Sequence, residues 1–307
     1  MSFVVPSLGT SRYLSDCLES AAASEGVRGE VVLVHPASVA LTLEPIPGLE
    51  ILNTQAEVGF CMACNLGIAK CESEFIAILN DDAIVEPAWA SRLIAALAAA
   101  PRAAAAQGVN IQMASPGWMD GRGLEFNRSW QAVQIGLGDL PPASSEPAEE
   151  IFGVSATAAI YRRSALDCVA SSDSEVFDVG LESYYEDVDL ACRLRAAGFS
   201  ALSVPAARAL HAGAATTESR PLHRYSLIYG NRYLVLARAR GRDFWSSLPI
   251  LLGRDLLDLG RAVLSMDSQK SLGIMSGWVR AGRKLRSFAH RGDPTVRNNE
   301  SQVARES

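Results

Sequence analysis

Short apolar runs alternate with segments of helical period through the first hundred residues. Phe3-Val4-Val5 reads as a strand ending near Pro6. From Arg12 to Ser24, the residues Leu14, Cys17, Leu18 and Ala21 share one helical face. Glu30-Val31-Val32-Leu33-Val34 and Leu49-Glu50-Ile51-Leu52 predict two further strands, Cys61 to Cys71 a helix of small residues, and Phe75 to Leu79 another strand. Trp89 to Ala100 predicts a helix, with Pro87 near its start and Pro101 beyond its end. This alternation predicts an α/β fold whose mostly parallel sheet is covered by helices on both faces.

The pattern loosens afterwards. Val109 to Met113 suggests a strand, 114–134 is polar, aromatic and irregular, and 138–150 reads as a mobile loop or a solvated linker. Order returns at Val154 to Tyr161, then with short helices over Arg163 to Val169 and Asp187 to Ala197. Leu190, Ala191 and Leu194 form the apolar face of the second of these, and Gly198 offers its stop. Phe199 to Val204 predicts an edge or final strand. Tyr225 to Leu264 is helical in period, with expected breaks at Gly241 and Pro249, and the tail after His290 is expected to be disordered.

At 307 residues, 49% hydrophobic and 20% charged, the chain is globular in composition. Its net formal charge of -6 argues against a nucleic-acid partner. Six scattered cysteines suggest a reducing compartment. Cys61 and Cys64 have the spacing of half a zinc site, but no second close pair follows, so buried small side chains are the preferred reading. Neither a signal-peptide pattern nor an apolar run of bilayer length is present, which predicts a cytoplasmic protein.

Three places carry chemistry. The apolar run Phe75-Ile76-Ala77-Ile78-Leu79 stops on Asn80-Asp81-Asp82, so a buried strand delivers two acids to its carboxyl end. Hard oxygen ligands there suit Mg²⁺ or Mn²⁺, while a solvent-facing turn is the plain alternative. Tyr184-Tyr185-Glu186-Asp187-Val188-Asp189 sets three acids against two tyrosines; one acid suits a helix start, and a carboxylate here can also take a proton from a hydroxyl. His211 ends an extended segment and can complete a metal site or simply make a buried hydrogen bond.

In this order and spacing, Val58-Gly59-Phe60, Asn65-Leu66-Gly67-Ile68-Ala69, Ile78 to Asp82, Gly153 to Ala156, Tyr185 to Leu190 and Val204 to His211 resemble glycosyltransferase family 2, especially its rhamnosyltransferase-like branch. The similarity runs from residue 3 to about residue 235. It implies a GT-A-type fold with a single Rossmann-like sheet and a C-terminal helical extension. The implied organisation is a nucleotide-sugar-binding half at 1–110, an acceptor-binding and catalytic half at 111–224, a helical extension at 225–290 and a tail at 291–307. The resemblance also implies an inverting, metal-dependent transfer of a sugar from a nucleoside-diphosphate donor to a glycan or lipid-linked acceptor. In that scheme Asp187 is the general base with Glu186 beside it, and Asp82 and His211 bind Mn²⁺ or Mg²⁺. Ser7, His35, Gly59, Phe60, Asn65, Asn80 and Asp81 line the nucleotide.

Three places depart from the family pattern. His35 stands where relatives place an acid, Pro6-Ser7-Leu8-Gly9 lacks their aromatic-asparagine pair, and Asn80 occupies the place often held by the first aspartate of the acidic triplet. A non-catalytic nucleotide- or glycan-binding scaffold is therefore the alternative reading. A nucleotidyltransferase is disfavoured because no glycine-rich basic phosphate loop follows the first strand. The arginines interspersed with leucines beyond residue 225 fit peripheral contact at the cytoplasmic membrane face, a homodimer interface or packing on the catalytic domain.

Overall fold

Apolar runs without alternation need cover on both faces, and the first and fourth strands have it. Every residue of β1 (Ser2–Pro6) is buried. The next elements are α1 (Leu14–Ala22), β2 (Glu30–Pro36), β3 (Leu49–Thr54) and α2 (Phe60–Lys70). Then come β4 (Phe75–Leu79), buried throughout like β1, the short β5 (Ala83–Val85) and α3 (Trp89–Ala99). A computed structural model describes residues 1–171, 175–213 and 220–291, the last five as backbone only.

The anticipated faces pack as the period demands. Leu14, Cys17, Leu18 and Ala21 of α1 are buried, as are Trp89, Ala90, Leu93 and Leu97 of α3. They meet Phe3, Leu33, Ile160 and Leu79 of the sheet in one core. On α2, Gly67 lies so close to β1 that an added Cβ would stand 2.3 Å from Val4 Cγ1. The small residues of this helix therefore set how tightly it seats on the strand.

The remaining strands are β6 (Ala103–Gln112), β7 (Met119–Gly121), β8 (Leu124–Phe126), β9 (Ala132–Gln134), β10 (Glu149–Ile151), β11 (Ala158–Arg162) and β12 (Ser200–His211). The expected strand at 109–113 is thus the end of a longer one, and the irregular 114–134 stretch holds three short strands. The sheet order is β10-β12-β6-β11-β4-β1-β2-β3. Strands β4, β1, β2 and β3 are mutually parallel, and β12 is parallel to β6. Between these two blocks β11 runs antiparallel to both β4 and β6. Helices α4 (Arg163–Val169) and α5 (Glu186–Ala196) precede β12.

The chain divides into a unit of Met1–Ser219 and one of Arg220–Ser307. The second contains α6 (Pro221–Arg240), α7 (Phe244–Leu264) and α8 (Ser268–Arg291). Gly230 of α6 approaches Gly277 of α8 so nearly that a Cβ on Gly230 would meet the Gly277 carbonyl at 3.0 Å. The break expected at Gly241 is present, but Pro249 lies inside an uninterrupted α7. Pro249 is exposed near the amino end of the helix, where water reaches the backbone groups that the ring leaves unpaired. The predicted disordered tail lies outside the described residues from residue 292 onward. No described helix is long and apolar enough to cross a membrane.

Candidate active site

At the carboxyl end of β4 the chain turns sharply instead of continuing the sheet. Asn80 N–H donates to Thr157 O at 2.8 Å, and Ala83 N–H donates back to Asn80 O at 3.0 Å. The turn leaves Asp81 and Asp82 both buried. Ser7, just beyond β1, donates from Oγ to Asp81 Oδ2 at 2.5 Å, and Ser11 Oγ donates to the Asp81 carbonyl at 3.1 Å. Burial, with the Asp82 charge next to it, pushes Asp81 up to about 6 against the opposing Ser7 hydrogen bond and His211.

Strand β5 begins immediately after this turn and pairs antiparallel with the end of β12, Ala83 opposite His211. That register sets His211 Nε2 3.2 Å from Asp82 Oδ1 although the two residues are far apart in sequence. Asp120 meets the other ring nitrogen, with Oδ2 2.9 Å from Nδ1. It arrives on β7, which takes up the edge of β6 beyond the stretch paired with β11. Burial opposes a charged imidazole, yet hydrogen bonds and charges from Asp120 and Asp82 outweigh it and raise His211 to about 9. Asp120 was not singled out by sequence reasoning; a lone acid in a three-residue strand has no periodicity to reveal it.

Glu186 and Asp187 open α5. Three residues in front of them, Glu182, Tyr184 and Tyr185, have left-handed backbone with φ of 66°, 64° and 71°. Non-glycine residues in that region cost on the order of 1 kcal/mol or more each, so surrounding contacts must hold them. The segment that leads to them is anchored by Asn65 of α2, whose Nδ2 donates to Phe177 O at 2.7 Å while its Oδ1 accepts from Val176 and Phe177 N–H at 3.1 and 2.9 Å. Arg193 of α5 donates to Val176 O at 2.6 Å, and Cys61 N–H at the start of α2 donates to Glu182 O at 3.0 Å. Gly59 completes the close approach, because a Cβ there would meet the Glu182 carbonyl at 3.0 Å.

Burial raises the pKa of both acids, and the Asp187 charge raises Glu186 further. For Asp187, hydrogen bonds from Val188, Ala156 and the Ser155 hydroxyl oppose the shift. Glu186 Oε2 is buried without a hydrogen-bond partner. The loop Ser155-Ala156-Thr157 consequently touches Asp187 at one end and Asn80 at the other. It enters β11, the strand that joins the two parallel blocks, so the acids on both sides belong to one end of the sheet.

The other predicted donor contacts occupy neighbouring positions. His35 lies at the carboxyl end of β2, buried, with its Nδ1 unpartnered. Phe60 starts α2 and packs edge-on against Phe177 at a centroid distance of 6.4 Å. Cys61 and Cys64 are buried thiols of α2, free of any disulfide, and burial raises both.

A divalent cation suits the pair Asp82 and His211. The donors are a carboxylate oxygen and an imidazole nitrogen, the second ring nitrogen is fixed by a carboxylate in the manner common to metal-bound histidines, and both side chains are buried. Among the described residues, no group of three or more His, Cys, Asp and Glu side chains could hold a metal. Two protein ligands leave positions for phosphate oxygens and water, the common arrangement for Mg²⁺ with nucleotides.

Residues 2–170 match the family model described as Glycosyl transferase family 2. No curated protein matches the chain. Among solved structures it is similar to the mannosyltransferase PcManGT from Pyrobaculum calidifontis, in complex with GDP-Man and Mn²⁺, at 13% identity and a TM-score of 0.52, over 91% of this chain and 86% of that one. It is similar to S. aureus TarS 1–349 at 17% identity and a TM-score of 0.51, over 91% and 78%. A third similar structure is GalNAc-T7 with UDP, GalNAc and Mn²⁺, at 13% identity and a TM-score of 0.51 over 68% of this chain. The aligned part spans only 43% of the GalNAc-T7 chain. At these identities the likeness establishes the fold: a mixed, mostly parallel sheet with flanking helices and a C-terminal helical extension.

Proposed function

The chain belongs to glycosyl transferase family 2, and from that premise we propose that it transfers a sugar from a nucleoside-diphosphate donor to a hydroxyl of a glycan or lipid-linked glycan, with inversion. The observation that carries this reading is the Ser155-Ala156-Thr157 loop, which contacts Asn80 at one end and Asp187 at the other. Donor-holding and proton-accepting groups then flank a common space.

In this reading Asp187 takes the proton of the acceptor hydroxyl as its oxygen forms the bond to the anomeric carbon. The bond from that carbon to the diphosphate oxygen breaks on the opposite face, and its electron pair leaves with the diphosphate. Glu186, whose raised pKa favours the protonated form, donates a hydrogen bond to the acceptor. Asp82 and His211 hold Mn²⁺ or Mg²⁺, with Asp120 fixing the imidazole. Such an ion, when bound, neutralises the charge that accumulates on the departing diphosphate. Ser7, Asn80 and Asp81 orient the donor, and His35, Gly59 and Phe60 border its nucleoside. Asn65 contributes by bracing the segment that leads to the acids.

The donor sugar proposed from the sequence resemblance is rhamnose, and the proposed setting is the cytoplasmic face of a membrane carrying the acceptor. A thermal-shift screen of nucleoside-diphosphate sugars, rhamnose, mannose and N-acetylglucosamine donors included, tests the reading with and without Mn²⁺. One donor should raise the apparent melting temperature in a Mn²⁺-dependent way, because a ligand of the folded state stabilises it. That donor should then support transfer to a glycan acceptor. Binding without transfer or donor hydrolysis would favour the non-catalytic scaffold instead.

A further inference from the structure

Helix α7 turns its two aspartates inward and leaves four of its leucines exposed. It buries Ser247, Asp255 and Asp258 with only a few apolar neighbours. On its other side Trp245 is 70% exposed, Leu256 59%, Leu257 60% and Leu264 86%. The inward acids are fully employed within the helical unit. Asp255 pairs with the buried Arg232 and accepts from Tyr233 Oη at 2.7 Å and Trp278 Nε1 at 2.8 Å. Asp258 accepts from Tyr229 Oη at 3.2 Å and pairs with Arg254 and Arg261. The apolar side of α7 therefore has no place in the core of its own unit. Leu272, Met275 and Val279 add exposed apolar side chains on α8. Apolar surface of this extent marks a binding face rather than scattered surface leucines.

The charge of the unit identifies what covers it. Residues 220–307 carry sixteen Lys and Arg against seven Asp and Glu, whereas residues 1–219 carry twelve against twenty-seven. An acidic protein thus concentrates its positive charge on the unit with the apolar face. Exposed Arg261 follows Leu257 by one helical turn and precedes Leu264 by another, and exposed Arg283 follows Val279 in the same way. Cations among exposed leucines meet opposite charge on an anionic headgroup layer, while a second copy of the same face would meet like charge. Trp245 at one end of the stripe has the amphipathic ring that suits the headgroup level. No described helix has the length and apolarity to cross a bilayer, so contact of α7 with a lipid layer would run along its surface.

We propose that the outer face of α7, extended by the exposed apolar residues of α8, docks onto an anionic lipid bilayer with α7 parallel to the membrane plane. Docking depends on this face and not on sugar transfer. The full chain should co-sediment with vesicles of mixed phosphatidylglycerol and phosphatidylcholine, bind pure phosphatidylcholine weakly, and release as salt is raised. The double substitution Leu256→Glu, Leu257→Glu changes exposed positions only and should lower vesicle affinity at least about tenfold while circular dichroism stays unchanged. Brominated phospholipid in the same vesicles should quench tryptophan emission of the parent protein, and Trp245→Phe should remove that quenching. Absence of co-sedimentation would overturn the proposal, as would affinity unaffected by both sets of substitutions. A dimer detected by light scattering that the leucine substitutions dissociate, in a protein that ignores vesicles, would assign the face to a second copy instead.

Discussion

Asp120 fixes His211 from behind: its Oδ2 lies 2.9 Å from the ring Nδ1, on the side away from Asp82. The contact orients the imidazole so that Nε2 faces the Asp82 carboxylate. Asp120 is a positioning residue in the proposed site. Asp120→Asn should weaken Mn²⁺ affinity roughly 10- to 100-fold, the usual cost of losing a carboxylate behind a liganding histidine. Electron paramagnetic resonance titration of the free protein with Mn²⁺ measures this without any turnover. Unchanged affinity would remove Asp120 from that role.

Asp187→Asn should lower the transfer rate by about 10²- to 10⁴-fold and leave donor binding by titration calorimetry nearly intact. The pH profile supplies the second check. Burial raises the Asp187 pKa, so the base is protonated on the acid side and the rate climbs as pH rises through a value above the ordinary aspartate range. Because Glu186 is adjacent and also raised, the acid limb reports the pair rather than one residue. An acid limb in the ordinary aspartate range would count against this base.

Glu186→Gln should make stability less dependent on pH. The folded pKa of Glu186 is raised, so its contribution is complete below the unfolded pKa and is lost as pH climbs toward the folded one. In that window one proton corresponds to at most about 1.4 kcal/mol per pH unit. Urea unfolding of the parent between about pH 5 and pH 8 should show this decline, and the glutamine variant should flatten it.

Asn65→Ala should destabilise the fold by about 1–3 kcal/mol, because it strands the Val176 and Phe177 N–H groups and the Phe177 carbonyl. The same change should slow transfer more than it weakens donor binding, since the affected segment leads to Glu186 and Asp187. Chemical denaturation and a comparison of kcat with donor affinity separate these effects.

Much of the fold was legible because burial on both faces leaves a plain mark. Phe75 to Leu79 could only be an interior strand, and Leu14, Cys17, Leu18 and Ala21 could only be one side of a helix. Asp81 and Asp82 were visible because they end an apolar run abruptly, and Glu186 and Asp187 because they stand beside two tyrosines at the start of a helix with an apolar face. Tertiary pairing decided the rest. Nothing local in Ala158 to Arg162 tells that β11 runs against both neighbours, and three-residue strands such as β7 are too short to show a period. Asp120 was hidden with it. The leucines of α7 left three readings open in the sequence, membrane contact, a homodimer interface or packing on the catalytic domain; several are exposed because the acids on the other side of the helix take the interior by pairing with Arg232, Tyr233 and Trp278. The uninterrupted passage through Pro249 follows from its exposure near the helix start, a fact that composition does not record.

The Ser155-Ala156-Thr157 loop has a consequence for reading kinetics. A residue change there touches Asn80 through the Thr157 carbonyl and Asp187 through Ser155 and Ala156. On the roles proposed for Asn80 and Asp187, its effects on donor and acceptor are coupled: the two Michaelis constants should shift together. Substitutions in this loop will resemble a change of catalytic order or of substrate synergy even when they alter only the position of one short backbone segment. On the same proposal, substitution of Asn80 or of Asp187, at either end of the loop, should separate the effects on the two substrates.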